Sequence, residues 1–145
     1  MLFVFRYKIS SNLSLDLAGC DCVTDIGLRK VTEACSRLQH LNLSGCHCIT
    51  DDSLLAVAQH CAQMTFLDLS CCGSITDAGL LALAVGCPLL QSLDLSKCAT
   101  SEDDGVTDRG LQALAHCCLR LQYLNLSGRS ASTNAGLQAQ CCRAV

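Results

Sequence analysis

The stretch Leu38-Gln39-His40-Leu41-Asn42-Leu43-Ser44-Gly45-Cys46-His47-Cys48-Ile49-Thr50-Asp51 decides the architecture. It joins two patterns of different period. Leu41-Asn42-Leu43 alternates as a short strand does. After a turn through the cysteine segment, Leu54, Val57, Cys61 and Met64 follow at spacings of 3, 4 and 3, which is one face of a helix. Thr50 and Asp51 stand at the junction, where a hydroxyl can accept from an unpaired helical amide and a carboxylate meets the positive end of the helix dipole.

The same text recurs along the chain. Leu15-Asp16-Leu17, Leu41-Asn42-Leu43, Leu67-Asp68-Leu69, Leu93-Asp94-Leu95 and Leu124-Asn125-Leu126 repeat the strand, the first four in a strict 26-residue register. Thr24, Thr50, Thr76 and Thr107 repeat the cap, each followed by Asp25, Asp51, Asp77 or Asp108. The helical face recurs as Leu28, Val31, Cys35 and Leu38, as Leu80, Leu83, Cys87 and Leu90, and as Leu111, Leu114, Cys118 and Leu121. A fixed period of this size marks a unit that cannot bury its apolar side alone and must stack on its neighbours. Each strand returns to the same edge after a helical crossover, so the strands must run parallel. The predicted fold is α/β, a solenoid with a curved parallel sheet on its concave side and helices on its convex side. About five repeats start near 13, 39, 65, 91 and 122, the last one incomplete. Residues 1–12 form a non-repeat segment, residues 13–145 the array, and residues 99–105 an acidic insertion between Cys98 and Val106.

Composition fits thin stacked layers. Half of the 145 residues are apolar, but the aromatics are only three Phe and two Tyr, as expected for a core of Leu, Val, Ala and Cys. Ten basic residues against thirteen acidic ones leave no positive stripe for nucleic acid. Apolar runs are too short to span a membrane, and Arg6 and Lys8 follow Met1-Leu2-Phe3-Val4-Phe5 where a secretory signal would have them precede it. The cytoplasm or nucleus is the expected compartment. The sequons at Asn12, Asn42 and Asn125 read as strand consensus.

Fourteen cysteines invite a disulfide framework, but their periodicity argues for packed, reduced thiols. Cys20, Cys46, Cys72 and Cys98 form one column and Cys35, Cys61, Cys87 and Cys118 another, each expected to point inward. The segments Cys20-Asp21-Cys22 and Cys46-His47-Cys48, with Cys71-Cys72 beside them, could be brought together by stacked turns. They lack the paired Cys-x-x-Cys knuckles of a structural zinc site, so no metal and no cofactor is expected. Cys141-Cys142 falls outside the register.

The pattern Leu-x-x-Leu-x-Leu-x-x-Cys followed by Ile-Thr-Asp-x-Gly-Leu resembles the cysteine-containing leucine-rich repeats, best known from F-box and leucine-rich-repeat proteins, the substrate receptors of cullin-type ubiquitin ligases. The resemblance covers roughly residues 13 to 137. It implies a protein-binding module that reads a substrate on its concave face and joins the ligase through a separate F-box, for which the residues before Leu13 leave no room. The alternative is a repeat scaffold or regulatory subunit of a larger assembly with no ligase role. The apolar start and the broken fifth unit, where Arg129 replaces the column cysteine and Ser132-Thr133-Asn134 replaces Ile-Thr-Asp, suggest a piece or isoform of a longer protein.

Period-two geometry names the side chains that face away from the core. They form three ladders: Ser14, His40, Phe66, Ser92 and Tyr123; Asp16, Asn42, Asp68, Asp94 and Asn125; and Ala18, Ser44, Ser70, Ser96 and Ser127. Phe66 and Tyr123 are expected to be exposed anchors, with His40 beside them. The stacked aspartates would repel one another unless a basic partner or Lys97 relieves them. No Ser-His-Asp order, phosphate-cradling Gly loop or paired ligand motif appears, and His40, His47, His60 and His116 fall on different faces. Catalysis is therefore not expected.

Overall fold

Short strands and ten-residue helices alternate through the described part of the computed structural model, which comprises residues 13–98 and 105–128. They are β1 (Ser14–Asp16), α1 (Asp25–Ala34), β2 (His40–Asn42), α2 (Asp51–His60), β3 (Phe66–Asp68), α3 (Asp77–Gly86), β4 (Ser92–Asp94), α4 (Asp108–Cys117) and β5 (Tyr123–Asn125). The strands make one parallel sheet in chain order, and its register matches the repeat: Ser14, His40, Phe66, Ser92 and Tyr123 stand side by side. Each helix packs on the next, so the architecture is the predicted α/β leucine-rich-repeat solenoid. Between β4 and β5 the paired residues are farther apart in sequence than in earlier layers, yet the strand register is unchanged. Of that insertion, residues 99–104 lie outside the described range, as do residues 1–12 and the fifth unit from Arg129 onward, including Cys141 and Cys142.

Burial follows the columns. Leu41, Leu43, Leu67, Leu69, Leu93 and Leu95 from the strand segments and Leu54, Val57, Met64, Leu80, Leu83 and Leu90 from the helical side are all 0% exposed. Complete burial of an aliphatic side chain of this kind contributes about 1.5–3 kcal/mol before chain entropy is counted. The end layers are looser. Cys20 and Cys35 are exposed, against the expectation that both point inward, and Val31 is half-buried. Both cysteines belong to the first described layer, which has a described neighbour on one side only. At the other end Leu121, Leu124 and Leu126 are partly buried for the same reason.

Two backbone devices hold the layers in step. The first lies just after each strand, where Gly19, Gly45 and Gly128 adopt φ of 69°, 73° and 76° and their layer-mates Cys71 and Lys97 adopt 61° and 54°. The left-handed turn is needed in every layer, because the amide there donates across to the next: Gly19 N to Ser44 O, Gly45 N to Ser70 O, Cys71 N to Ser96 O and Lys97 N to Ser127 O, at 2.7–2.9 Å. Glycine adopts that conformation without a Cβ penalty, whereas Cys71 and Lys97 are held there by the layers around them.

The second device is at the helix starts. Thr24, Thr50, Thr76 and Thr107 cap as expected, each hydroxyl accepting from an amide of the first turn. The aspartate that follows does more than meet the helix dipole, because its carboxylate receives the cap of the next layer. Asp25 accepts from Thr50 N at 3.0 Å, Thr50 Oγ1 at 2.8 Å and Ser53 Oγ. Asp51 accepts from Thr76 N at 2.9 Å and Thr76 Oγ1 at 2.5 Å. Asp77 accepts from Thr107 N at 2.7 Å, Thr107 Oγ1 at 2.5 Å and Gly110 N at 3.1 Å.

This arrangement explains the Gly of Ile-Thr-Asp-x-Gly-Leu. A Cβ on Gly79 would press on Asp51 Oδ1 and stand 2.7 Å from Leu54 Cδ1, and one on Gly110 would stand 2.5 Å from Asp77 Oδ1. The matching residue of the second layer, Ser53, places its hydroxyl in a hydrogen bond to the Asp25 carboxylate. In the first layer Gly27 has only Thr24 Oγ1 near its missing Cβ, at 3.8 Å. Gly79→Ala is accordingly expected to destabilise the fold by about 1–3 kcal/mol through overpacking, while Gly27→Ala is neutral or stabilises by about 0.4–1 kcal/mol. Urea unfolding of the two variants beside wild type measures both, and equal effects would contradict this assignment.

Candidate functional site

The face turned away from the helices carries the first two predicted ladders, whose members the in-register strands bring together, and the third follows just past the strand ends. Neighbouring strands lie about 4.8 Å apart, so the ladders extend about 19 Å from β1 to β5.

In the first ladder, His40 and Phe66 stack with ring centroids 6.1 Å apart and planes inclined by 29°. This corrects the expectation for Phe66, which is half-buried against the imidazole and not freely exposed. Tyr123 is exposed as expected, with 52% of its surface open. Nδ1 of His40 is buried and has no hydrogen-bond partner among the described residues, an uncommon state for a ring nitrogen.

The second ladder has a structural role in every layer. Asp16, Asn42, Asp68, Asp94 and Asn125 each turn Oδ1 back onto the amide two residues on, at 2.8–3.0 Å, closing the turn that leaves the strand. Repulsion along the ladder is eased at two places, although Asp68 and Asp94 stand side by side. Asn42 separates Asp16 from Asp68, and Asn125 Nδ2 donates to Asp94 Oδ2 at 2.9 Å. Lys97 does not supply that relief, since no ion pair from it to these aspartates occurs among the described residues. It occupies the left-handed turn, with Cγ about 3.1 Å from where a Cβ on Gly128 would lie.

Burial pushes the Asp94 carboxyl up, but hydrogen bonds from the Ser96 side chain, the Ser96 amide and Asn125 outweigh it and hold the pKa below its ordinary value. Asp25 at the helix edge is shifted the same way, with burial opposed by bonds from Ser53 and Thr50. In the third ladder Ser44 Oγ and Ser70 Oγ share a hydrogen bond of 2.7 Å, and Ser96 is buried. The sheet therefore carries a row of small side chains, a row of carboxylates and amides, and a row holding the His40–Phe66 stack and, at its end, Tyr123.

Both cysteine columns act as donors to the preceding layer. Cys46, Cys72 and Cys98 Sγ point at the carbonyls of Leu17, Leu43 and Leu69, at 3.0–3.2 Å. Cys61, Cys87 and Cys118 Sγ point at Cys35, Cys61 and Cys87 O, at 3.5–3.7 Å. Burial pushes the Cys72 and Cys87 thiols up to about 12 and those of Cys61 and Cys118 up to about 11, so they stay protonated at neutral pH. No disulfide joins the described cysteines, and no group of three or more metal-ligating side chains occurs among the described residues. No helix of the described residues is long and apolar enough to cross a membrane.

Sequence reasoning missed the exposed apolar side chains of α2 and α3, Leu55, Leu81 and Val85, the last at 78%. The signal was present in α3, Asp-Ala-Gly-Leu-Leu-Ala-Leu-Ala-Val-Gly, which is apolar on every face instead of one. It also missed the interlayer role of Asp25, Asp51 and Asp77, whose trace was the Gly or Ser recurring three residues after each cap Thr.

Because Asp25 and Asp94 carry depressed pKa values in the folded chain, the stability they supply is fully present above the ordinary aspartate range and is lost as pH falls through their lower folded values. Thermal unfolding followed from pH 7 downward should therefore show the melting temperature falling below about pH 4. Asp25→Asn should reduce that acid dependence, and an unchanged slope in the variant would contradict the assignment.

Comparison with protein families gives a match to the leucine-rich-repeat model over residues 11–31, 34–58 and 60–84, the first three layers. Among curated proteins none matches the chain. The matched segments coincide with the layers of the solenoid, and the fold is a leucine-rich-repeat array of the α/β type.

Proposed function

We propose that this chain is a protein-recognition module whose strand face reads an extended, partly basic segment of a partner. The observation that carries the reading is the pairing, on one sheet, of the His40–Phe66 stack and exposed Tyr123 with the adjoining ladder of Asp16, Asp68 and Asp94. Aromatic side chains supply contact area at small entropic cost, and carboxylates select cations and steer their approach. Asn42, Asn125 and the serine ladder offer neutral hydrogen-bonding groups beside them.

Within that class, the finer reading is substrate recognition of the F-box and leucine-rich-repeat kind, in which the array presents a protein to a ubiquitin ligase whose other components join through a longer form. The likeness of the Ile-Thr-Asp-x-Gly-Leu repeats supports it. A scaffold role in another assembly would use the same face. Catalysis, a cofactor, nucleic acid and a membrane play no part in the proposal, and the proposed compartment is the cytoplasm or nucleus.

Panning the whole chain against a library of extended peptides tests the central reading. Enrichment of sequences combining Arg or Lys with an aromatic or aliphatic residue is expected. Phe66→Ala and Tyr123→Ala should each weaken the selected peptide by about tenfold or more, as anchor residues do. Asp68→Asn should weaken it less and flatten its salt dependence. Selected peptides that ignore all three changes would place recognition elsewhere.

A further inference from the structure

We infer that Cys22 and Cys48 form an inter-repeat thiol pair that a peroxide closes to a disulfide, a modification site joining the first two layers. The two residues occupy the same place in successive repeats, 26 positions apart, and both are exposed.

The turns that carry them are pinned together on either side. Before the pair, Gly19 N donates to Ser44 O at 2.7 Å, and a Cβ built on Gly45 would lie 3.8 Å from Gly19 Cα. Cys46 Sγ reaches Leu17 O at 3.2 Å. After the pair, Thr50 N and Oγ1 reach the Asp25 carboxylate at 3.0 and 2.8 Å. A layer spacing of about 5 Å falls inside the window of about 4.4–6.8 Å between Cα atoms that a disulfide needs.

The other described cysteines are placed differently. Cys46, Cys72, Cys98, Cys61, Cys87 and Cys118 are buried, and the exposed Cys20 and Cys35 stand against the buried Cys46 and Cys61 of their columns. Cys71 has Gly45 and Lys97 as layer-mates, and Cys117 has Gly86. Ser74 holds the matching place in the third layer, so the exposed column is a pair and not a longer ladder.

The chemistry balances with hydrogen peroxide as oxidant. One thiolate attacks the O–O bond, an S–O bond forms and hydroxide leaves, giving a sulfenic acid. The second thiol attacks that sulfur, the S–O bond breaks and water departs with its proton. Two thiols lose two electrons, and the peroxide becomes two waters. The product ties the first layer to the second through residues that no structural hydrogen bond of the cysteine columns uses.

The test treats the folded chain with a small excess of hydrogen peroxide, blocks remaining thiols with N-ethylmaleimide, and digests without reduction using trypsin and Asp-N. Asp-N frees Asp21–Thr24, so Cys22 travels apart from Cys20. Mass spectrometry should find that peptide joined to the one bearing Cys48. The link should vanish in Cys22→Ser and in Cys48→Ser, with the surviving thiol trapped by dimedone as a sulfenic acid, and persist in Cys20→Ser. Circular dichroism of each variant confirms that it folds, as expected for exposed side chains. A bridge from Cys22 to Cys20, or sulfinic acids at both sites with no bridge, would overturn the inference.

Discussion

Everything else in this chain depends on one interaction repeated between layers, a helix-start carboxylate receiving the amide and hydroxyl of the next layer's cap threonine. A strand of three residues and a helix of ten cannot fold by themselves, so each unit is defined only against its neighbour. Apolar stacking supplies most of the driving force but is indifferent to small slips. The Asp–Thr bonds fix the helix starts, the left-handed turn fixes the strand ends, and the thiols of both cysteine columns satisfy carbonyls that the layers would otherwise leave half-used. Burial is uniform in the inner layers because the register is fixed at several points around each turn.

The same constraint shapes the surface. Parallel strands in strict register convert one position of a repeat into a row, so a carboxylate that evolved to close a turn also contributes to a charged ladder. Asp68 is thus structural through Oδ1, whereas Asp94 uses both oxygens, Oδ1 on the Ser96 amide and Oδ2 on the Asn125 side chain. The rows depart from uniformity at an imidazole and a phenyl ring stacked across two strands and at an exposed phenol at the end of the same row, and the proposed recognition rests on these positions.

Much of this was legible in the sequence because periodicity reports burial directly. The helical faces, the cap threonines, the parallel sheet and the three ladders could be placed by spacing alone. What spacing could not show was how groups of one layer meet those of the next. Asp25 and Asp51 looked like dipole partners, because their cross-layer acceptor role depends on a threonine 25 residues away. Phe66 looked exposed because a ladder position says which way a side chain points, not that His40 lies over it. Cys20 and Cys35 looked buried because a column suggests equivalent members, whereas an end layer has one described neighbour and loses that equivalence.

The most direct test of the account is a double-mutant cycle on Asp51→Ala and Thr76→Ala, read by urea unfolding of the whole chain. The carboxylate and hydroxyl lie 2.5 Å apart across two layers, so the account predicts a coupling energy of about 0.5–3 kcal/mol between the substitutions. Additivity within about 0.3 kcal/mol would contradict it and leave apolar stacking alone to hold the layers in step.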